Sequence, residues 1–202
     1  MKARLFFTLL ALSPLCWGKV SNLDELESQL AQHSVIRGEF TQRRHLEMFA
    51  QPLSSQGEFT LSKQQGLLWQ QHSPFAVNLV LTQDKLRQTF ADQVPQVIKA
   101  EDNPMAFYFS RVFLAVFHGD TDTLKTQFDL DFSSSPQGWR LILTPRQAPL
   151  NVVFSSITLN GQQQVDALTL QEIRGDKTEI QFSNQTHQPE TLTDAEQAQF
   201  SF

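Results

Sequence analysis

Apolar and polar positions along this chain follow two periods, and the points where one replaces the other predict its elements. Ser21-Asn22-Leu23-Asp24-Glu25-Leu26 opens a helix. Ser21 or Asn22 can cap it, acids fill its first turn, and Leu23, Leu26 and Leu30 recur at helical spacing. The helix ends near His33-Ser34, where the period changes to two. Ile36, Gly38, Phe40 and Gln42 alternate with Arg37, Glu39, Thr41 and Arg43, a strand with one apolar face. Similar segments at 46–50, 56–61, from 67 onward, 76–82, 86–90 and 95–99 predict further strands. They lie only a few residues apart, which favours hairpins and an antiparallel sheet over crossover connections.

The alternation breaks between Pro104 and His118, a strongly apolar helix with Pro at its start and Gly119 just past its end. Met105, Phe109, Val112, Phe113 and Val116 run along one face, and Phe107, Tyr108, Leu114 and Phe117 widen it. Such a helix is either a core element or a lid over an apolar concavity. Residues 120–124 predict a short second helix or turn. Strands resume at 128–132 and 139–143, on either side of the turn residues 134–138. Segments 152–159 and 165–172 flank Asn160-Gly161, a hairpin signal because both residues tolerate positive φ. A turn at 174–177 leads to a strand over 178–183. The tail from Asn184 is polar, with one helical turn at 193–196 before Phe200 and Phe202. The sum is ten to eleven strands in one sheet and two or three helices.

The first residues have a different pattern. Met1-Lys2-Ala3-Arg4 is a basic start, Leu5 to Leu15 is apolar but too short to span a bilayer, and Cys16-Trp17-Gly18 places small residues before a cut at Lys19. Residues 1–18 therefore read as a secretory signal peptide, and 19–202 as a single mature domain in the periplasm of a Gram-negative bacterium. A lipid-modified Cys16 would need a small residue before it, where Leu15 stands. Cleavage after Gly18 leaves no cysteine, which excludes disulfides and thiol chemistry. It also leaves 14 basic residues against 21 acidic ones, a balance that gives no footprint for nucleic acid. With 17 Phe and one Tyr, the composition favours a Phe-rich core or an apolar cavity.

The sequence holds little reactive chemistry. His33, His45, His72, His118 and His187 stand singly on different elements, without a second ligand at metal spacing. Nucleophile elbows, P-loops and dinucleotide fingerprints are missing from the sequence. Asp129 and Asp131 share a strand face but alternate with Phe128, Leu130 and Phe132, which reads as the solvated side of that strand. No catalytic residue, metal or cofactor is predicted. A signal peptide, a one-sided sheet, an excess of Phe and an apolar helix together suggest a curved sheet holding an apolar ligand.

Three stretches sharpen this expectation: Ile36-Arg37-Gly38-Glu39-Phe40-Thr41-Gln42, then Ser54-Ser55-Gln56-Gly57-Glu58-Phe59-Thr60-Leu61, then Gly66-Leu67-Leu68-Trp69 with Pro74 following. Their order and spacing resemble LolA, the periplasmic lipoprotein carrier family. The later part, with Phe117-His118-Gly119-Asp120, Phe128, Trp139-Arg140-Leu141 and Leu143-Thr144-Pro145, is similar to a LolA-related branch. The resemblance covers nearly all of the mature chain. It implies a mainly β fold with helices (α+β): a strongly curved antiparallel sheet forming an incomplete barrel, its apolar concave face covered by helices. It also implies a monomeric, non-enzymatic carrier that takes acyl chains of lipoproteins, or a related lipid, from an inner-membrane exporter to an outer-membrane acceptor.

On that reading Phe40, Phe59, Leu61, Trp69, Leu79 and Leu81 form the concave wall, and Phe109 and Phe113 the lid. Lys63 and Leu67 stand at the mouth and serve transfer. The family commonly has an Arg-Pro pair just before the strand ending in Trp, with the Arg holding the empty carrier closed. Aligned on Trp69, those positions are Lys63 and Gln64, and a Phe expected near the mouth is Leu67. Lysine keeps the charge but lacks the planar fork of arginine. The alternative to a carrier is a periplasmic protein-interaction module without a lipid ligand.

Overall fold

The computed structural model describes residues 20–202 apart from Asp92 and Asn103, and leaves out the side chains of residues 104–106, 108 and 109. The predicted signal peptide lies outside the described residues. Six strands come first: β1 (Val35–His45), β2 (Leu53–Ser62), β3 (Gly66–Ser73), β4 (Val77–Leu81), β5 (Lys85–Phe90) and β6 (Gln96–Lys99). Five follow the central helices: β7 (Phe128–Ser135), β8 (Gly138–Pro145), β9 (Phe154–Gly161), β10 (Val165–Glu172) and β11 (Lys177–Thr186). They form one antiparallel sheet in the order β6-β5-β4-β3-β2-β1-β11-β10-β9-β8-β7, curved and unclosed. Two meanders thus meet where β1 pairs with β11, and the two edge strands are the ones joined through the central helices.

Period-two alternation puts the large apolar side chains on the concave side, and register aligns them across strands. Leu61 faces Leu67, which faces Leu81, which faces Leu86. On the other half, Ile180 faces Leu168, Leu168 faces Leu159, and Leu159 faces Leu141. These rows belong to the main core, together with Phe107, Val112, Val116 and Phe117 from α2 (Pro104–His118). The two acids of β7, Asp129 and Asp131, point to solvent, as their alternation predicts.

α1 (Leu23–Leu30) starts at Asn22, whose side chain accepts from the Glu25 amide, and buries Leu26 and Leu30. It lies across one end of the sheet. Ser134 near the β7–β8 turn donates to the Val20 carbonyl at 2.6 Å, and Gln29 donates to the Gln162 carbonyl in the β9–β10 turn at 2.9 Å. Its C-terminal Ala31 carbonyl accepts from Lys63 in the β2–β3 turn. Gly119, at φ +68°, lets the α2 terminus approach this helix closely; a Cβ there would sit 2.9 Å from the Glu27 carbonyl oxygen. α3 (Thr121–Gln127) then leads into β7 and is tied back to α1 by a hydrogen bond from Thr121 to Glu27.

The sheet has a second apolar patch on its convex face, which the polar appearance of the tail concealed. Leu68 and Val80 point outward there and are covered by Phe200, with Leu192 and Phe202 beside it. The covering segment ends in α4 (Asp194–Gln199), which opens with a complete capping box between Thr193 and Glu196. Cationic residues hold it, Lys85 by donating to the Phe202 carbonyl at 2.9 Å. Arg87 donates to the Gln199 carbonyl and stacks 4.7 Å from the Phe202 ring centroid, and Arg37 pairs with Glu196 at 2.6 Å.

The hydrogen bond from Arg37 holds the Glu196 carboxyl at about 2, against partial burial, with further help from Thr193. A carboxylate depressed in this way contributes stability above its ordinary pKa and loses it as pH falls toward the folded value. Glu196→Gln is expected to cost roughly 1–3 kcal/mol at neutral pH in denaturant melts. The difference from the parent protein should shrink between about pH 4.5 and pH 2, and a pH-independent difference would contradict this role for the pair.

Three sequence expectations are corrected. Residues 46–50 are not a strand: β1 ends at His45, Arg44 already faces Leu53 on β2, and the connection between them is too short to hold another strand. Its apolar residues turn outward instead, with Met48 81% and Phe49 51% exposed. Val152 belongs to a 3-10 turn (Leu150–Val152) anchored by fully buried Leu150, so β9 begins two residues later than the alternation suggested. Asn160-Gly161 is not the hairpin turn either. Both residues remain in β9, and the connection is Gln162-Gln163-Gln164. Gly161 is there for space, because a Cβ would fall 1.9 Å from the Gln164 oxygen and 2.6 Å from the Trp139 ring.

Candidate functional site

A cavity of about 310 Å3 lies between the concave face and α2. The first meander contributes Leu67 and Trp69 from β3 and Leu79 and Leu81 from β4. Phe154 and Ile157 of β9, Leu168 and Leu170 of β10, and Ile180 of β11 form the opposite wall. Ser110, Val112, Phe113 and Val116 of α2 close it, and Ser110 is the one polar residue among the described lining residues. Trp69, Leu79, Phe113, Phe154 and Leu170 are only half-buried, whereas Leu67, Leu81, Val112 and Ile180 are buried. The partly open side chains are therefore the ones a ligand would cover.

An aromatic layer backs this wall. Phe40 of β1 reaches over Gly57, its register partner on β2, to stack on Trp69 of β3 with ring centroids 3.6 Å apart. Phe59 meets Phe182 edge-on at 5.2 Å, Phe182 meets Phe117 at 5.3 Å, and Phe117 lies 4.7 Å from Phe113 in the cavity roof. Edge-to-face and offset pairs of this kind add roughly 0.5–1.5 kcal/mol each beyond area burial. The excess of Phe thus serves a packed backing layer and a cavity lining at once.

The structure places the predicted residues in three groups. Leu67, Trp69, Leu79, Leu81 and Phe113 line the cavity. Phe40, Phe59 and Leu61 are buried behind it, at 1%, 4% and 2% exposure. The side chain of Phe109 lies outside the described residues. Lys63 sits away from the lining, in the β2–β3 turn between the C-terminal ends of α1 and α2. Its amide donates to the Ser34 carbonyl at 3.0 Å and its ammonium to Ala31, a favourable place for a cation at a helix C-terminus. Burial lowers the pKa of the Lys63 amine. Burial also lowers that of His118 at the end of α2, helped by the neighbouring Lys63 charge and opposed by Asp120. Lys63 thus caps the end of α1 beside the end of α2, outside the cavity lining.

What this lining can do chemically is narrow. It offers area for hydrocarbon, with no carboxylate, imidazole or cation directed inward among the described lining residues. Each methylene it takes from water is worth about 0.8 kcal/mol.

The sequence itself matches the family model described as outer membrane lipoprotein carrier protein LolA, over residues 31–202. The chain belongs to the LolA family. Among solved structures, a LolA superfamily protein from Nitrosomonas europaea shares 8% identity, with 84% of this chain and 93% of that one covered and a TM-score of 0.47. An outer membrane lipoprotein-sorting protein domain from Vibrio parahaemolyticus shares 8% identity over 89% and 97%, also at 0.47. A chain of the Pseudomonas aeruginosa MucA/MucB complex shares 15% identity over 81% of this chain and 55% of that chain, at 0.46. No curated protein matches the sequence.

In this LolA-family chain, sequence reasoning missed the whole second wall: Phe154, Ile157, Leu168, Leu170 and Ile180. The motifs that carry the resemblance lie in the first meander and drew the assignment there. Alternation at 165–172 and 178–183 marked an apolar face, and only the pairing of β1 with β11 shows that this face meets the first one around a shared space.

Proposed function

We propose that this protein is an exported, periplasmic carrier that shields acyl chains of lipoproteins, or of a related lipid, during transfer from the inner to the outer membrane. Residues 1–18 direct export and 19–202 form the carrier. The observation that carries this reading is the apolar cavity under α2, with Ser110 as the one polar residue among its described lining residues. Family membership supports it.

A carrier needs gross binding strong enough to hide hydrocarbon and few directional contacts, so that release costs little. Leucine, isoleucine and phenylalanine walls meet both needs. The cavity stands at the low end of the roughly 300–1,000 Å3 usual for small-molecule sites. It suits one acyl chain as it stands, and a bulkier cargo requires α2 to move off the sheet. Lys63, on the α1 terminus beside the end of α2, serves at the mouth in that movement. Phe109 and Phe113 serve on the moving side, and no catalytic residue is assigned. An inner-membrane exporter and an outer-membrane acceptor are the implied partners.

Uptake of a fluorescent long-chain fatty acid by the purified protein tests this directly. The expected result is saturable uptake reversed by unlabelled acyl chains. Its absence would sink the carrier reading and leave a protein-interaction module in front.

A further inference from the structure

In an antiparallel sheet, alternate connections emerge at opposite ends. Here the two ends differ sharply in chemistry. At the end crossed by α1, the turns are Lys63-Gln64-Gln65, Thr82-Gln83-Asp84, Pro136-Gln137 and Gln162-Gln163-Gln164, polar throughout except for one proline. At the other end, the β1–β2 connection exposes Met48 and Phe49, with Leu53 at the start of β2. The β3–β4 connection exposes Phe75 at 62%, and the β5–β6 connection exposes Val94 at 85%, followed by Val97 in β6. On the second meander, Val152 precedes β9 and Ile173 follows β10. Every large apolar residue that stands exposed among the described residues belongs to this second end.

These tips are built in, and they adjoin the cavity. Ile173 donates its amide to the Val153 carbonyl at 2.9 Å, and the Glu47 amide donates to Asp176 at 3.0 Å, so three of the connections are hydrogen-bonded side by side. Phe154, a cavity residue, follows Val152 and Val153 directly, and Leu170 lies three residues before Ile173. Trp69 and Leu79 are on the two strands joined by the Phe75 connection. The apolar rim is thus continuous with the cavity walls.

We propose that this open end is a membrane-docking surface, its apolar tips entering the interface of a phospholipid bilayer. A protein partner is better matched by a contiguous patch with a desolvated core. Here single large side chains on separate loops are spaced by polar residues, and a fluid interface accepts such tips one by one. Charge favours the same end. Arg43, Arg44, Arg174 and Lys177 there balance Glu47, Glu172, Asp176 and Glu179, with Glu172 paired to Arg44 at 3.6 Å and Glu179 to Lys177 and His45. The opposite end carries Asp24, Glu25 and Glu27 on α1, which an anionic surface repels.

The test is co-flotation of the purified protein with vesicles of phosphatidylethanolamine and phosphatidylglycerol. The protein is expected to float with the vesicles, and the double variant Phe49→Ser, Phe75→Ser to lose binding by about tenfold or more. Both residues are exposed, so an unchanged thermal melt is expected alongside. Gln64→Ser at the opposite end should float like the parent. A parent protein that stays with the soluble fraction would overturn the proposal and assign the rim to a protein partner, and equal flotation of the double variant would overturn it as well. Fatty-acid uptake measured on the same samples needs no vesicle, so failure of membrane docking is separable from failure of the carrier reading.

Discussion

Leu79→Asp is expected to lower fatty-acid uptake by more than tenfold while leaving a folded protein. Leu79 faces Trp69 on β3 and Gln88 on β5, and its side chain is half-buried because one side opens into the cavity. In the empty protein an aspartate there can keep part of its hydration. With an acyl chain in place the carboxylate would be stripped of water against hydrocarbon, a penalty of several kcal/mol unless it takes up a proton. Binding thus suffers more than folding. Leu79→Met conserves volume and polarity and should bind like the parent, which separates charge from shape. Equal uptake by the Asp variant would place the ligand elsewhere.

Phe40→Ala is expected to cost about 3–5 kcal/mol of stability, the usual range for deleting a buried aromatic ring. Phe40 is 1% exposed, and its ring spans from β1 across Gly57 to Trp69. Gly57 cannot fill the gap, since even a Cβ there would fall 1.9 Å from the Gln70 carbonyl oxygen. A ring laid over a strand glycine protects the sheet where the backbones approach most closely. Loss of Phe40 also frees Trp69, so its emission should shift along with the denaturation midpoint. A cost below about 1 kcal/mol would show that the neighbouring side chains collapse into the space.

These two residues also show how far the sequence could be read. Strict alternation around Phe40, Phe59, Trp69 and Leu79 made a one-sided sheet legible, and short spacings made it antiparallel. The apolar run 104–118 announced α2. The resemblance implied a curved, incomplete barrel, but the order of the sheet was not legible, because pairing of β1 with β11 joins segments far apart in sequence. Local pattern was misleading at Leu46–Ala50, where alternating apolar residues form an exposed connection. It was also misleading in the tail, where Phe200 and Phe202 among polar residues gave no sign of the patch they cover on the convex face. Half of the cavity was invisible for the same reason: alternation identifies an apolar face, and only topology says which faces look at one another.

If the space under α2 holds acyl chains, native mass spectrometry of the protein isolated without detergent from its own cells, followed by lipid extraction, will find them. Adducts with the mass of lipoprotein or lipid are expected on the parent protein and lost from Leu79→Asp. A clean unliganded mass for the parent, with no adduct after incubation with added acyl ligands, would contradict it.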